Sequence, residues 1–161
     1  MTDSPLAPLI GTWDFEASSK GRFLGRGSAT FDPIEDGAFV IERATDEPDP
    51  RTAAEWAEHS PMPVTSILGF DDSNGELAML YSDARGVFRI YRMRLTDEAW
   101  TVWRDAPGFN QRFVGRFEDG GAAIAGTWET SEDGSTWTDD FDLVYRRRAR
   151  SEPTDAAGDP S

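Results

Sequence analysis

The chain has 161 residues, a formal net charge of −14 and no cysteine. A single domain of this length can bury a sizeable core, and the lack of cysteine excludes disulfides, thiolate metal sites and cysteine nucleophiles. The strong negative charge argues against nucleic acid or an anionic membrane surface as a partner. No apolar stretch is long enough to cross a membrane, and 1–8 lacks the basic and apolar regions of a signal peptide, so we expect a soluble, cytoplasmic protein.

Short runs rich in β-branched and aromatic residues recur along the chain and are separated by turn signals. The strongest turn signal is Asn74-Gly75, because both central residues of a type I′ turn adopt a positive φ. Only 51–59 has a helical pattern. The predicted strands are 10–18, 25–33, 38–45, 63–71, 76–83, 87–95, 99–105, 109–117, 122–130 and 135–147.

Strands joined in sequence by tight turns form a meander, and a meander of this length removes its exposed edges by closing on itself. The sequence therefore predicts an all-β protein, a single antiparallel up-and-down barrel of about ten strands over 9–149, with one short helix near 51–59. Residues 1–8 are predicted to form a flexible N-terminal tail. Residues 150–161 are acidic and poor in apolar side chains, which predicts a disordered tail.

Alternation along each strand divides its side chains between an inner and an outer face. Pairs such as Trp13 with Phe15 and Phe39 with Ile41 indicate the inner face. Polar residues of the same parity are candidate ligand contacts, because a few polar groups among aromatic ones orient a ligand in a barrel cavity. The candidates are Arg89, Tyr91, Gln111, Arg104, Tyr81 and Arg43, together with the aromatic Trp128.

Internal ion pairs are the alternative role for these polar side chains. Arg89 could pair with Asp83 or Asp139 and so satisfy its buried charge without any ligand. Arg43 and Arg104 lie near strand ends, from which a long side chain can reach water. The sequence also leaves open whether the barrel is hollow or filled by its many aromatic side chains.

Arginine is concentrated between Arg85 and Arg116, a segment with seven arginines but only three acidic residues. The outward-facing arginines could pair with acids on neighbouring strands. Alternatively, they form a positive strip that attracts an anionic ligand or partner in a salt-dependent way. A filled barrel with such a strip would be an interaction protein.

Catalytic chemistry has few candidates in this sequence. The one histidine, His59, lies in a loop after the predicted helix, where it could meet a ligand at the barrel mouth. No pattern indicates a metal site. The alternative function is a cofactor-free enzyme of the cyclase or isomerase type, with Tyr91 and Asp83 as candidate acids.

The Gly11-Thr12-Trp13 opening of the first strand resembles the GxW signature of lipocalins and the wider calycin group. About ten strands, together with the segments 61–72 and 81–87, look similar to the nitrobindin-like branch and its bacterial lipocalin-like relatives. The resemblance implies a barrel in which Trp13 closes one end. An arginine of the last strand, best matched by Arg147, is then expected to pack over this tryptophan.

The same resemblance implies haem held by a histidine near the C-terminal end of the barrel. This sequence has no histidine after His59, and Tyr145 is the alternative axial ligand. Haem is therefore the less favoured alternative to a protein without a cofactor. The leading hypothesis is a binding protein, monomeric or homodimeric, that holds a small, partly apolar and anionic molecule inside its barrel.

Overall fold

A computed structural model describes residues 4–149, which form a closed antiparallel barrel of ten strands. The strands are β1 (Gly11–Ser19), β2 (Arg22–Ile34), β3 (Phe39–Glu47), β4 (Val64–Phe70), β5 (Leu77–Asp83), β6 (Phe88–Leu95), β7 (Ala99–Arg104), β8 (Asn110–Glu118), β9 (Ala123–Ser131) and β10 (Thr138–Arg147). One short helix, α1 (Ala54–His59), connects β3 to β4. The predicted fold class is confirmed. Within the described range, no helix combines the length and apolarity that crossing a membrane requires.

Each strand pairs with the next along the chain, and β1 pairs with β10 to close the barrel. Every predicted strand matches an observed one, and the boundaries differ by three residues at most. The largest differences are at the start of β2, which begins at Arg22, and of β10, which begins at Thr138. The turn signals in the sequence therefore predicted where each strand begins and ends to within three residues.

One end of the barrel is closed by Trp13, which is fully buried. Its cross-strand partner is Arg147, whose guanidinium lies 4.2 Å above the indole ring. The same guanidinium donates hydrogen bonds to the carbonyl oxygens of Pro8, at 2.9 Å, and Ile10, at 2.5 Å. The arginine–tryptophan contact expected from the resemblance is confirmed.

The chain before β1 packs against this closed end. Leu6 is 2% exposed, and Leu9, at the end of the single turn Ala7–Leu9, is fully buried. The Leu9 carbonyl oxygen accepts a hydrogen bond from the Trp13 indole at 2.9 Å. Leu6, which falls within the predicted N-terminal tail 1–8, thus belongs to the core, because burial of a leucine side chain is favourable. The predicted tail at 150–161 lies outside the described residues.

Two glycines on β2 allow aromatic rings to lie directly against its backbone. A Cβ on Gly27 would come within 2.1 Å of the Thr45 carbonyl oxygen and 2.5 Å of the Phe15 ring. A Cβ on Gly25 would come within 2.4 Å of the Trp56 ring. Glycine at these positions therefore permits the inward packing of Phe15 and the docking of α1 through Trp56.

The prediction of which β3 side chains face the barrel interior is wrong: the alternate set faces inward. Its inward side chains are Val40, Glu42 and Ala44. Arg43 is exposed on the outer face and is not a cavity residue, and Phe39 is 37% exposed. Phe39 and Ile41 suggested the opposite orientation, but apolar residues occupy both faces of this strand, so hydrophobic alternation does not define its inner side.

The β-bulge in β10, between Asp139 and Phe141, changes the orientation of the strand start. Asp140, rather than Asp139, lines the cavity, although it is exposed. Trp137, just before β10, packs on the outer side, with its ring centroid 4.0 Å from the Arg112 guanidinium carbon.

The outer surface of β3 to β6 carries an apolar row. Ile41, Ile67, Leu80 and Ile90 are successive cross-strand partners. The last three are 39%, 42% and 59% exposed. This outer row is a second apolar surface besides the barrel interior.

Candidate functional site

A cavity of about 450 Å³ lies inside the barrel and opens at the end opposite Trp13. Helix α1 covers part of the opening, and Trp56 anchors the helix. The Trp56 indole donates a hydrogen bond to Asp46 Oδ1 at 3.0 Å, and its ring packs edge-on against Phe141 at 5.8 Å. The rim of the opening includes Ser19, Arg22, Glu55, His59, Pro61 and Met62.

Aromatic side chains form one wall of the cavity. Trp128 stacks on Phe113 with their ring centroids 5.3 Å apart, and Tyr91 meets Trp128 at 5.6 Å. Trp100 packs edge-on against Phe113 at 5.8 Å. The barrel is therefore hollow despite its aromatic content, and Trp128 lies on the cavity wall as predicted.

A polar cluster on β6 and β8 lies beside this wall. The Tyr91 hydroxyl donates a hydrogen bond to Gln111 Oε1 at 2.8 Å, and Arg89 Nη1 donates to the same oxygen at 3.2 Å. Tyr91 and Gln111 are 2% and 7% exposed, and the Arg89 guanidinium also lies over the Phe109 ring at 5.2 Å. The structure thus brings together the three residues that the sequence ranked first; their contact with a ligand stays a prediction.

The electrostatic environment of this cluster is positive. Burial raises the pKa of Tyr91, and the Arg89 hydrogen bond and the charges of Arg89, Arg104 and Arg85 offset part of the rise. Tyr91 therefore remains a protonated hydrogen-bond donor at neutral pH. Arg104 is half-buried and pairs with Gln111 in the β7–β8 register, and its charge adds to the positive potential at Tyr91.

No acidic side chain among residues 4–149 neutralises Arg89, since none lies within 4.0 Å of its guanidinium. The predicted internal ion pair is not formed. Asp83 instead accepts hydrogen bonds from Arg85 Nη2 and from the Tyr81 hydroxyl, both at 2.7 Å. Asp139 is displaced by the bulge. The Arg89 charge is therefore presented to the cavity without a carboxylate partner.

Asp83 is enclosed and does not line the cavity, whereas its partner Tyr81 does. Burial favours a raised pKa for Asp83, but the hydrogen bonds from Arg85 and Tyr81 outweigh it and lower the pKa to about 2. An ionised, enclosed carboxylate is not placed to protonate a molecule in the cavity. Asp83 fixes the Tyr81 ring instead, so of the two candidate acids for the enzyme alternative only Tyr91 lines the cavity.

Glu42 is a cavity residue that sequence reasoning missed. Its side chain lines the cavity from β3 and is 7% exposed. Burial raises its pKa to about 7, and the nearby Ser66 hydroxyl lowers it only partly. The available signal was its parity with Val40 and Ala44, which the apolar pair on the other face of β3 obscured.

The alternative axial ligand for haem, Tyr145, does not fit that role, and the one histidine does not replace it. His59 lies at the rim, as predicted, but its side chain is 76% exposed. Tyr145 is enclosed by the rings of Trp13, Phe15 and Trp100 at 6.4, 6.1 and 6.2 Å. Burial raises its pKa, which opposes the phenolate form that ligates iron. Tyr145 does line the cavity, but its buried hydroxyl resists deprotonation, so it is a poor axial ligand.

Comparison with known proteins supports the fold. No family model matches the chain, and no curated protein sequence matches it. Among solved structures, the barrel is similar to the crystal structure of Rv2717c from M. tuberculosis, with a TM-score of 0.51 and 12% sequence identity. The alignment covers 92% of this chain and 99% of that chain. At this identity the likeness shows the fold alone, a closed antiparallel barrel consistent with the calycin-like architecture.

Proposed function

We propose that the barrel binds a small, partly apolar anionic molecule inside its cavity. A volume of about 450 Å³ lies in the range of small-molecule sites. The aromatic wall offers a flat apolar surface, and the polar cluster beside it offers orientation. The GxW opening and the Arg147–Trp13 contact support a place among nitrobindin-like barrels, but the proposal rests on the cavity itself.

The observation that carries the proposal is the unneutralised arginine. Between Arg85 and Arg116, three arginines form ion pairs: Arg85 with Asp83, Arg92 with Glu76, and Arg112 with Glu129. Of the arginines in this region that form none, Arg89 is the one that lines the cavity. Arg89 instead contacts a phenol, an amide oxygen and an aromatic ring. A guanidinium next to a cavity, with unused N–H donors and no carboxylate, favours an anionic group of the ligand.

The test uses 8-anilinonaphthalene-1-sulfonate, a fluorescent molecule with an aromatic body and one sulfonate. We expect Arg89→Met to weaken its binding by about 10- to 100-fold, because a charge-assisted hydrogen bond is worth about 1.5–3 kcal/mol. The matched control is Arg92→Met on the same strand, whose side chain points outward to Glu76. Equal dissociation constants for the two variants would contradict the proposal.

A further inference from the structure

Glu42 has an environment that the anion site does not explain. Its carboxyl group is buried on the cavity wall, and no side chain among residues 4–149 forms an ion pair with it. The Ser66 hydroxyl, opposite on β4, is near enough to lower the pKa of Glu42 in part, but it does not reach full hydrogen-bond geometry. A buried carboxyl group without a charged partner destabilises a fold when it is ionised, so its position on the cavity wall points to a ligand contact.

Glu42 and Arg89 line the same cavity from two strands that β4 and β5 separate. Their backbone positions are connected by successive cross-strand pairs, Glu42 with Ser66, Ser66 with Tyr81, and Tyr81 with Arg89. All four side chains point inward, since adjacent strands in register place paired residues on one face. With strands about 4.8 Å apart, three intervals separate Glu42 from Arg89 by roughly 14 Å along the wall.

The cavity therefore has two poles of opposite chemistry. Arg89 offers N–H donors to an anion, and Glu42 offers carboxyl oxygens that accept hydrogen bonds. The aromatic wall of Trp128 and Phe113 lines the same cavity and provides a surface for an apolar body. A molecule that satisfies both ends carries its polar groups at opposite ends of a flat or elongated body.

We propose that Glu42 binds an N–H or O–H donor group of the same ligand whose anionic group lies at Arg89. This inference rests on the proposed function and narrows the ligand class to bifunctional molecules. Such a ligand has an amino or hydroxyl group at one end, an anionic group at the other, and an apolar centre. Glu42 then acts as the determinant of specificity, and Arg89 as the general anchor.

The test compares two probes that differ by one donor group, 6-aminonaphthalene-2-sulfonate and naphthalene-2-sulfonate. We expect the wild-type protein to bind the amino probe about tenfold more tightly, as one hydrogen bond to a carboxylate predicts. Glu42→Leu should remove this difference by weakening only the amino probe. Glu42→Gln keeps an acceptor oxygen and the shape of the side chain, so it should retain part of the preference.

The outcomes separate this inference from the proposed function. If both probes bind with equal affinity and Arg89→Met weakens both, the anion site holds and the role of Glu42 is refuted. If Arg89→Met leaves both affinities unchanged, the proposed anion site at Arg89 is refuted, and the inference that depends on it is refuted as well. A preference for the amino probe that persists in Glu42→Leu also overturns the inference, because another group would then recognise the amine.

Discussion

The buried Glu42 carboxyl group should make the stability of the barrel decrease as the pH rises. Burial raises its pKa from 4.5 to about 7, so the folded protein holds this proton more tightly than the unfolded chain does. Between these two values the folded state binds more protons, and the free energy of unfolding falls as the pH increases. Glu42→Gln has the same shape and cannot ionise, so the variant should not show this loss.

The magnitude follows from the two pKa values. At about 1.36 kcal/mol per pKa unit, linkage gives a destabilisation by Glu42 of about 1 kcal/mol at pH 5 and about 3 kcal/mol at pH 8. Relative to the wild-type protein, Glu42→Gln should therefore gain about 2 kcal/mol in unfolding free energy between these two pH values. Both pH values lie above the isoelectric point of about 4.3, so the measurement avoids the aggregation expected near that point.

The assay is urea unfolding followed by tryptophan fluorescence for both proteins at pH 5 and pH 8. Glu16→Gln is the matched control, because Glu16 is also a strand residue but is exposed on the outer face of β1. A stability difference between Glu42→Gln and the wild-type protein that stays constant within 0.5 kcal/mol across this pH range would refute the linkage. It would mean that Glu42 is solvated or paired in the folded protein.

Two further predictions concern the closed end and the interior of the barrel. Arg147→Met should lower the unfolding free energy by about 2 kcal/mol in urea titrations, because it removes the guanidinium over Trp13 and two hydrogen bonds to backbone carbonyls; a change below 0.5 kcal/mol would show that the contact is not stabilising. Ala44→Phe places a ring in the cavity next to Glu42 and should weaken binding of 8-anilinonaphthalene-1-sulfonate at least tenfold in fluorescence titrations. Unchanged affinity in this variant would place the dye outside the barrel.

The strands and the closure of the barrel were predictable because turns are local. Asn74-Gly75 and the other turn signals act within a few residues, so they locate β4 and β5 without any knowledge of the fold. The inner face of β6 and β8 was also predictable, since Arg89, Tyr91 and Gln111 alternate with outward side chains. The outward arginines, Arg92 and Arg94 on β6 and Arg112 and Arg116 on β8, marked the other face, although β6 also exposes Phe88 and Ile90.

The missed features depend on tertiary structure. Apolar residues on both faces of β3 concealed the inward position of Glu42, and the bulge in β10 exchanged Asp139 for Asp140. Nothing in the local sequence encodes the bulge, because it adjusts β10 to its partner strand β9. The hollow interior likewise depends on the radius of ten closed strands, which side-chain composition does not set.

The most direct test of the cavity is to locate a bound anionic probe. In NMR spectra of the complex with 8-anilinonaphthalene-1-sulfonate, we predict nuclear Overhauser effects from the dye to the rings of Phe113 and Trp128, which line the cavity. The alternative binding site for the dye is the apolar outer row of β3 to β6. Nuclear Overhauser effects confined to Ile67, Leu80 and Ile90 of that row would contradict the account.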